Sequence, residues 1–155
     1  MDKEKGQSLY YAPVNMPRLR GGKMMLNFSI SELIQSDTAI KNRINNMPDI
    51  NSLDNLLDLI YYCLQPIRNR LGRPMVITSG FRNFEVNKLV GGASNSQHLT
   101  GQAADFIVRG MTPKQIIEAI QKMNIEYDQL INEHDQWTHI SFNKGHNRND
   151  CFKIM

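Results

Sequence analysis

A helical pattern of apolar residues is the feature that most constrains how this chain can fold. Leucine and isoleucine side chains recur at helical spacing between Ser52 and Leu71, and Gly72 follows as a helix-ending residue. Pro66 lies inside the pattern, and a proline there removes a backbone hydrogen-bond donor. We therefore predict one long helix with a kink or a boundary near Gln65.

Shorter helical and strand-like segments surround this helix. Ser29 and Glu32 have capping-box spacing, which predicts a short helix that begins there, and further helices are predicted at 84–90 and 112–123. Four short segments with apolar or β-branched residues predict strands at 75–78, 103–108, 127–131 and 137–142. Strands interspersed unevenly among helices favour an α+β fold with a small antiparallel sheet, although the pattern alone is also compatible with α/β.

The chain has the length and composition of one globular domain. It contains 155 residues, of which 41% are hydrophobic, and this is enough to bury a core without disulfide or metal staples. Apolar periodicity begins only near Met25, after a stretch punctuated by Pro13, Pro17 and the glycines at 21–22. We predict a loosely ordered arm or extension over residues 1–24 and a single domain over 25–155.

Charge and hydropathy exclude several classes of protein. The net charge of +3 comes from dispersed lysines and arginines, so we expect no nucleic-acid partner. No apolar run approaches the roughly 18 residues of a membrane span, which excludes an integral membrane protein. The N-terminus lacks the apolar stretch of a secretory signal, so we expect synthesis in the cytoplasm. The two cysteines, Cys63 and Cys151, predict neither a disulfide framework nor a cysteine metal site.

Three residues from separate segments are candidate ligands of one metal ion. His98 lies at the end of a polar loop, and Asp105 lies in the predicted strand that follows it. His139 lies in the predicted strand 137–142, where alternation places it on the face opposite to Thr138. Two imidazoles and one carboxylate suit Zn²⁺ and leave a fourth position open, as in catalytic zinc sites. Each residue alone is more typical of an ordinary hydrogen-bonded position, and spacing does not decide between the two interpretations.

Three motifs in order give a more specific indication than any single residue. They are TSGFR at 78–82, SQHLTGQAAD at 96–105 and WTHIS at 137–141. Together they closely resemble the zinc D-alanyl-D-alanine carboxypeptidases and phage endolysin peptidases, whose superfamily also holds lysostaphin-type peptidases and hedgehog domains. The resemblance runs from about Asn27 to Phe142. It implies a central antiparallel sheet flanked by helices, and cleavage of D-amino-acid-containing peptides of bacterial cell walls.

The resemblance also implies roles for individual residues. It implies one Zn²⁺ per chain, held by His98, Asp105 and His139. Arg82 matches a family arginine that lies beside the metal and engages the substrate carbonyl or carboxylate, although pairing with a surface acid would also explain it. Ser96 matches a serine whose hydroxyl binds substrate backbone, with an ordinary turn serine as the alternative, and Gln97 is expected at the rim of the substrate cleft.

The general base is where the sequence departs from its relatives. Many family members have an acid three residues before the last histidine ligand, and this chain has Gln136 there, which cannot accept a proton at neutral pH. Glu133 and Asp135 flank that position in the turn before the strand. We predict Glu133 as the proton shuttle, because the segment that it ends resembles the strand-ending acid of the phage-type relatives. Asp135 is the second candidate.

These inferences predict a monomeric zinc peptidase that hydrolyses the peptide stem of peptidoglycan. The bond cut would be either the D-Ala-D-Ala terminus or the internal L-Ala-D-Glu linkage. The protein would act at the cell wall or in the periplasm after phage-mediated release, as an endolysin does. The alternative is a non-catalytic zinc-containing module that binds the cell wall or a phage structure, which the replacement of the usual acid by Gln136 would permit.

Overall fold

A computed structural model describes residues 26–155. The arm predicted over residues 1–24 lies outside the described residues, so it stays a prediction. In chain order the described residues form α1 (Ile30–Ile34), α2 (Asp37–Asn42), α3 (Ile50–Leu59), a π-helical segment (Ile60–Leu64), α4 (Gln65–Leu71), β1 (Met75–Ser79), α5 (Phe84–Leu89), a 3₁₀ turn (Gln97–Thr100), β2 (Ala103–Val108), α6 (Pro113–Gln121), β3 (Gln129–Glu133), β4 (Trp137–Ser141) and β5 (Asp150–Ile154). None of these helices is long and apolar enough to span a membrane.

The long predicted helix forms, and its predicted boundary falls at Gln65. α3, the π-helical segment and α4 follow one another without a break, and Gly72 ends them with a left-handed φ of +62°. The Gln65 N–H donates to the Ile60 carbonyl, which closes a wide turn just before Pro66. Because Pro66 has no N–H to donate, a π-helical segment beside it accommodates the missing hydrogen bond.

Side-chain caps begin the shorter helices. The Ser29 hydroxyl accepts a hydrogen bond from the Glu32 N–H at 3.2 Å, which confirms the predicted start of α1. α6 begins with a complete capping box, close to the predicted position. α2 was not predicted from the sequence, and it begins where the Ser36 hydroxyl accepts from the Ala39 N–H. With six residues, α2 is too short to show a helical repeat.

The five strands of the described residues form one sheet in the order β1-β2-β4-β3-β5. Every neighbouring pair is antiparallel except β3 and β5, which run parallel. The predicted α+β fold with a small antiparallel sheet is therefore confirmed, except that the β3–β5 pair is parallel. β3 lies two residues later than the predicted strand 127–131, and β5 was not predicted.

The sheet separates the hydrophobic core from a polar face. On β2, the side chains of Ala104, Phe106 and Val108 belong to the core and are almost completely buried. Because side chains alternate along a strand, Asp105 projects from the opposite face. His139 on β4 is paired directly with Asp105, so it projects from that face as well. The core thus fixes the strands that present these two polar residues.

Candidate metal centre

Three side chains converge on the polar face of the sheet. Ligand-capable atoms of His98, Asp105 and His139 lie within 4.8 Å of one another, and all three residues are buried. Asp105 Oδ1 lies 3.3 Å from His98 Nε2 and 2.9 Å from His139 Nδ1. In the part of the chain that the structure describes, no other group of His, Cys, Asp or Glu side chains has this arrangement. The structure thus brings together the three residues that were predicted from the sequence as metal ligands.

A tight turn delivers His98 to the strand pair. The 3₁₀ turn that carries His98 precedes β2 directly and ends at Gly101, which has a left-handed φ of +72°. A Cβ at Gly101 would lie 2.2 Å from the carbonyl oxygen of Ser52 on α3. Glycine is therefore required both for the backbone conformation and for the close approach of the turn to α3.

A backbone carbonyl fixes the orientation of the His98 ring. His98 Nδ1 lies 2.6 Å from the Gly80 carbonyl oxygen. A carbonyl can only accept, so Nδ1 carries a proton, and Nε2 is the ring nitrogen on the side of Asp105. Metal-binding histidines usually donate their second N–H in this way. Gly80 lies within the TSGFR motif at 78–82, but its backbone carbonyl is a contributor to the site that side-chain motifs do not reveal.

The donor set fits Zn²⁺. Zinc binds imidazole nitrogen and carboxylate oxygen at about 2.0–2.2 Å in a tetrahedron, which places neighbouring ligand atoms about 3.3–3.6 Å apart. The two separations around Asp105 Oδ1, 2.9 and 3.3 Å, are close to that spacing. Three protein ligands leave one tetrahedral position open, which is typical of catalytic rather than structural zinc sites.

Asp105 has the protonation state that a cation requires. Burial alone would raise the pKa of Asp105, but the neighbouring His98 and His139 outweigh burial and lower that pKa below its ordinary value. The two imidazole rings meet edge to face, with centroids 5.2 Å apart. Asp105 is therefore an ionised carboxylate at neutral pH, enclosed between two nitrogen donors.

Glu133 lies at the edge of this cluster. Its Oε1 is 3.8 Å from His139 Nδ1, and its side chain is 22% exposed. On β3, Ile131 pairs with His139 and Glu133 pairs with Trp137, so Glu133 lies one pair further along the same face. The Glu133 carboxylate is therefore both close to the candidate ligands and accessible to water.

The turn between β3 and β4 holds Asp135 in a different contact. Asp135 has a left-handed φ of +56°, and its Oδ2 lies 2.6 Å from Lys153 Nζ. This ion pair with Lys153 lowers the pKa of Asp135. Gln136 is exposed in the same turn. Of the two acids proposed as the base, Glu133 is the one within 4 Å of a candidate ligand.

Arg82 lies in the electrostatic field of two acids of the site. Burial lowers the pKa of Arg82, and attraction to Asp105 and Glu133 opposes this shift. The Nε of Arg82 is buried and has no hydrogen-bond partner among the described residues. Arg82 also lines a cleft of about 530 Å³ between β1 and the α1–α2 segment, whose other lining residues include Glu32 and Asp37.

Ser96 and Gln97 have partners within the chain. The Ser96 hydroxyl accepts from the His98 N–H at 3.3 Å and so caps the 3₁₀ turn. Gln97 Nε2 donates to Asp128 Oδ2 at 2.8 Å. These contacts hold the turn that carries His98, and the role in substrate binding that the resemblance implies for both residues stays a prediction.

Comparison with known proteins identifies the family. A sequence model of the family described as Peptidase M15 matches residues 26–141, well over half of the chain. The chain is also 49% identical over 44 residues to a protein named zinc D-Ala-D-Ala carboxypeptidase from Streptomyces albus G. That alignment covers 28% of this chain and 17% of the relative, so the chain spans only a small part of the relative's length. The chain therefore belongs to the peptidase M15 family, which confirms the family that its three motifs predicted.

Proposed function

We propose that this protein is a zinc-dependent peptidase that hydrolyses the peptide stem of bacterial peptidoglycan. The observation that carries the proposal is the buried cluster of His98, Asp105 and His139 with Glu133 at its edge. Membership of the peptidase M15 family supports hydrolysis of a peptide bond. The name of the Streptomyces relative supports a substrate that contains D-alanine.

His98, Asp105 and His139 would hold the metal ion. When bound there, Zn²⁺ supplies Lewis acidity that polarises a carbonyl group and makes water easier to deprotonate. The chain's contribution is one imidazole nitrogen from each histidine and an ionised carboxylate at Asp105. At His98 the Gly80 carbonyl accepts from Nδ1, which leaves Nε2 as the nitrogen that faces Asp105.

Glu133 would carry the proton. A general base must lie within reach of the proton that it removes, either directly or through one water molecule. Oε1 of Glu133 lies 3.8 Å from His139 and is accessible to solvent, so an attacking water can lie between Glu133 and the cluster. Oε1 would take a proton from that water and later return it to the leaving amine. Asp135 is engaged by Lys153 and does not compete for this role.

Arg82 would stabilise negative charge on the substrate. A guanidinium is permanently charged and donates well to a carbonyl oxygen or a carboxylate that develops or carries charge. The adjoining cleft of about 530 Å³ has a volume typical of ligand-binding pockets. We propose that the substrate extends from the metal cluster past Arg82 into this cleft.

The bond that is cut is either the D-Ala-D-Ala terminus or the L-Ala-D-Glu linkage, and the two activities release different products. The first activity releases free D-alanine. The second cuts within the stem and separates its peptide from the glycan strands of the wall. An endolysin-type role would require the second kind of cut or another cut within the cross-linked wall. Loss of turbidity of purified walls tests that role directly.

The decisive experiment uses the full chain loaded with Zn²⁺ on purified peptidoglycan and on synthetic stem peptides. New amino groups are measured with a colorimetric reagent, and mass spectrometry of the products identifies the bond. We expect release that a chelator abolishes and added Zn²⁺ restores. Zinc-dependent binding to walls without any release would instead support the non-catalytic binding module, and release that is unaffected by the chelator would overturn the zinc mechanism.

A further inference from the structure

We propose that Arg148 is a positioning residue for the metal site, acting through Asp128 and Gln97 on the turn that carries His98. This inference rests on the proposed function only in so far as His98 belongs to a metal site. Arg148 lies in the C-terminal segment, residues 142–155, which follows the region 26–141 that matches the family.

Asp128 is the centre of the arrangement. It is 1% exposed, and Arg148 contacts both of its carboxylate oxygens. Arg148 donates to Oδ1 from its backbone N–H and from Nε, each at 2.9 Å, and to Oδ2 from Nη2 at 2.7 Å. A two-pronged contact between a guanidinium and a carboxylate fixes the orientation of both groups, because the two planes must coincide. Arg148 therefore sets the position of the Asp128 carboxylate.

The remaining side-chain hydrogen bond of Asp128 leads to the candidate metal site. Its Oδ2 also accepts from Gln97 Nε2 at 2.8 Å, and Gln97 directly precedes His98. The other polar atom of the Gln97 side chain, Oε1, is buried without a hydrogen-bond partner among the described residues. The bond to Asp128 is therefore the contact that orients the Gln97 side chain.

The turn that Gln97 begins is a compact unit, so its anchoring bears on the His98 ring. The Gln97 carbonyl accepts from the Gln102 N–H at 3.0 Å, and the His98 carbonyl accepts from the Arg82 N–H at 3.1 Å. A shift of Gln97 would therefore move the backbone of both His98 and Arg82. The Gly80 carbonyl fixes the rotation of the His98 ring. The hydrogen-bonded series Arg148–Asp128–Gln97 fixes the position of the His98 backbone, from which that ring extends.

An alternative role for Arg148 is to fasten the C-terminal segment to the sheet, with no effect on the metal. The two roles differ in their coupling to Gln97. A positioning residue acts through Gln97. Removal of Arg148 should therefore change zinc affinity little in a protein whose Gln97 has already lost its side-chain amide. A fastening residue acts independently of Gln97, so the losses of zinc-binding free energy from the two substitutions should add.

The experiment measures zinc affinity in a double-mutant cycle of Arg148→Ala, Gln97→Ala and the double variant. Each protein is stripped of metal and titrated with Zn²⁺ against a chromophoric chelator, which requires no substrate. We expect each single change to weaken zinc binding about 10-fold, the lower range for residues that support metal ligands. We expect the double variant to lose no more zinc affinity than the single variant that binds zinc more weakly.

Asp150→Asn is the matched control. Arg148 Nη1 lies 3.7 Å from Asp150 Oδ2, and this second ion pair does not involve Asp128. The control should therefore bind zinc like the unaltered protein. Arg148→Lys keeps the charge but loses the two-pronged contact, and it serves if Arg148→Ala does not fold. We expect it to weaken zinc binding as well.

Unchanged zinc affinity in the folded Arg148 variant, or additive losses in the double variant, would overturn the proposal. An equal loss of affinity in Asp150→Asn would overturn it too, because the effect would then not depend on Asp128. These outcomes are independent of the proposed function, since zinc affinity is measured without hydrolysis. Even if the protein binds zinc and cleaves nothing, the zinc affinities of the variants still test the role of Arg148.

Discussion

Oδ1 of Asp105 lies 2.9 Å from Nδ1 of His139, between residues that are directly paired on the antiparallel strands β2 and β4. The register of one strand pair therefore places two of the three candidate ligands side by side. A slip of one residue would send one of these side chains into the core face, because side chains alternate along a strand. The buried residues of β2 and β4 prevent such a slip, so the core protects the geometry of the site.

Loss of any one candidate ligand should remove the metal. Replacing His98, Asp105 or His139 with Ala leaves two donors where a catalytic zinc site needs three, so we expect zinc content to fall from about one ion per chain to near zero. Elemental analysis after gel filtration measures it. Gln136→Ala is the control, since Gln136 is exposed in the β3–β4 turn and should leave zinc content unchanged. Full zinc occupancy in His139→Ala would contradict the assignment.

Removing the carboxylate of Glu133 should strongly slow hydrolysis without removing zinc. Glu133→Gln is nearly isosteric and is not a proposed ligand, so we expect the fold and zinc content to persist. Activity on stem peptides should fall by about 10²-fold or more, the usual effect of losing a general base. Rates of amine release at saturating substrate measure this loss.

The matched control for Glu133 is Asp135→Asn, which removes a charge two residues away. Its carboxylate is paired with Lys153 on the surface, so we expect little change in rate. Gln136→Glu restores the acid that relatives have at that position and should leave activity equal or higher. If Asp135→Asn is inactive while Glu133→Gln is fully active, Asp135 is the proton shuttle.

The sequence predicted those helices and strands whose boundaries are set by residues within or beside the element itself. The boundary at Gln65 follows from Pro66, and the start of α1 follows from the Ser29 cap. β5 lacked such a cause, because all five of its residues are exposed and its partner β3 is distant in the sequence. Its parallel pairing is a property of the folded sheet that no alternation within 150–154 indicates.

The candidate site shows the same division. His98, Asp105 and His139 were predicted because their motifs have a characteristic order. The Gly80 carbonyl was not predicted, since any residue at that position has a carbonyl and only the fold directs it at His98. The contact between Asp128 and Arg148 was also missed, because it joins two loops 20 residues apart.

An added methyl group at Gly80 should damage both stability and metal binding. A Cβ there would lie 2.1 Å from the Leu33 carbonyl oxygen, a backbone atom that cannot move without displacing α1. We expect Gly80→Ala to cost about 1–3 kcal/mol of unfolding free energy, the usual range for overpacking. Because the Gly80 carbonyl holds His98 Nδ1, zinc affinity should fall as well. Urea unfolding and chelator competition measure the two effects.

Gly91→Ala separates these effects from the general cost of replacing a glycine. Gly91 has a φ of +70° and open space where a Cβ would lie, so its replacement should cost only the backbone strain of about 1 kcal/mol. It should leave zinc affinity unchanged. Equal zinc affinity in Gly80→Ala and Gly91→Ala would contradict the role assigned to the Gly80 carbonyl.

The contact between Arg148 and Asp128 should appear in the pH dependence of stability. Hydrogen bonds from Arg148 outweigh the opposing effect of burial and lower the pKa of Asp128 to about 2, whereas an unfolded aspartate has a pKa of about 3.9. A lowered pKa stabilises the folded state above the unfolded pKa, and this contribution is lost as the pH falls towards 2. In urea unfolding of metal-free protein, the stability gap between the unaltered chain and Asp128→Asn should therefore narrow between about pH 4 and pH 2. A gap that stays constant over this range would show that the Asp128 carboxylate gains no stabilisation from Arg148.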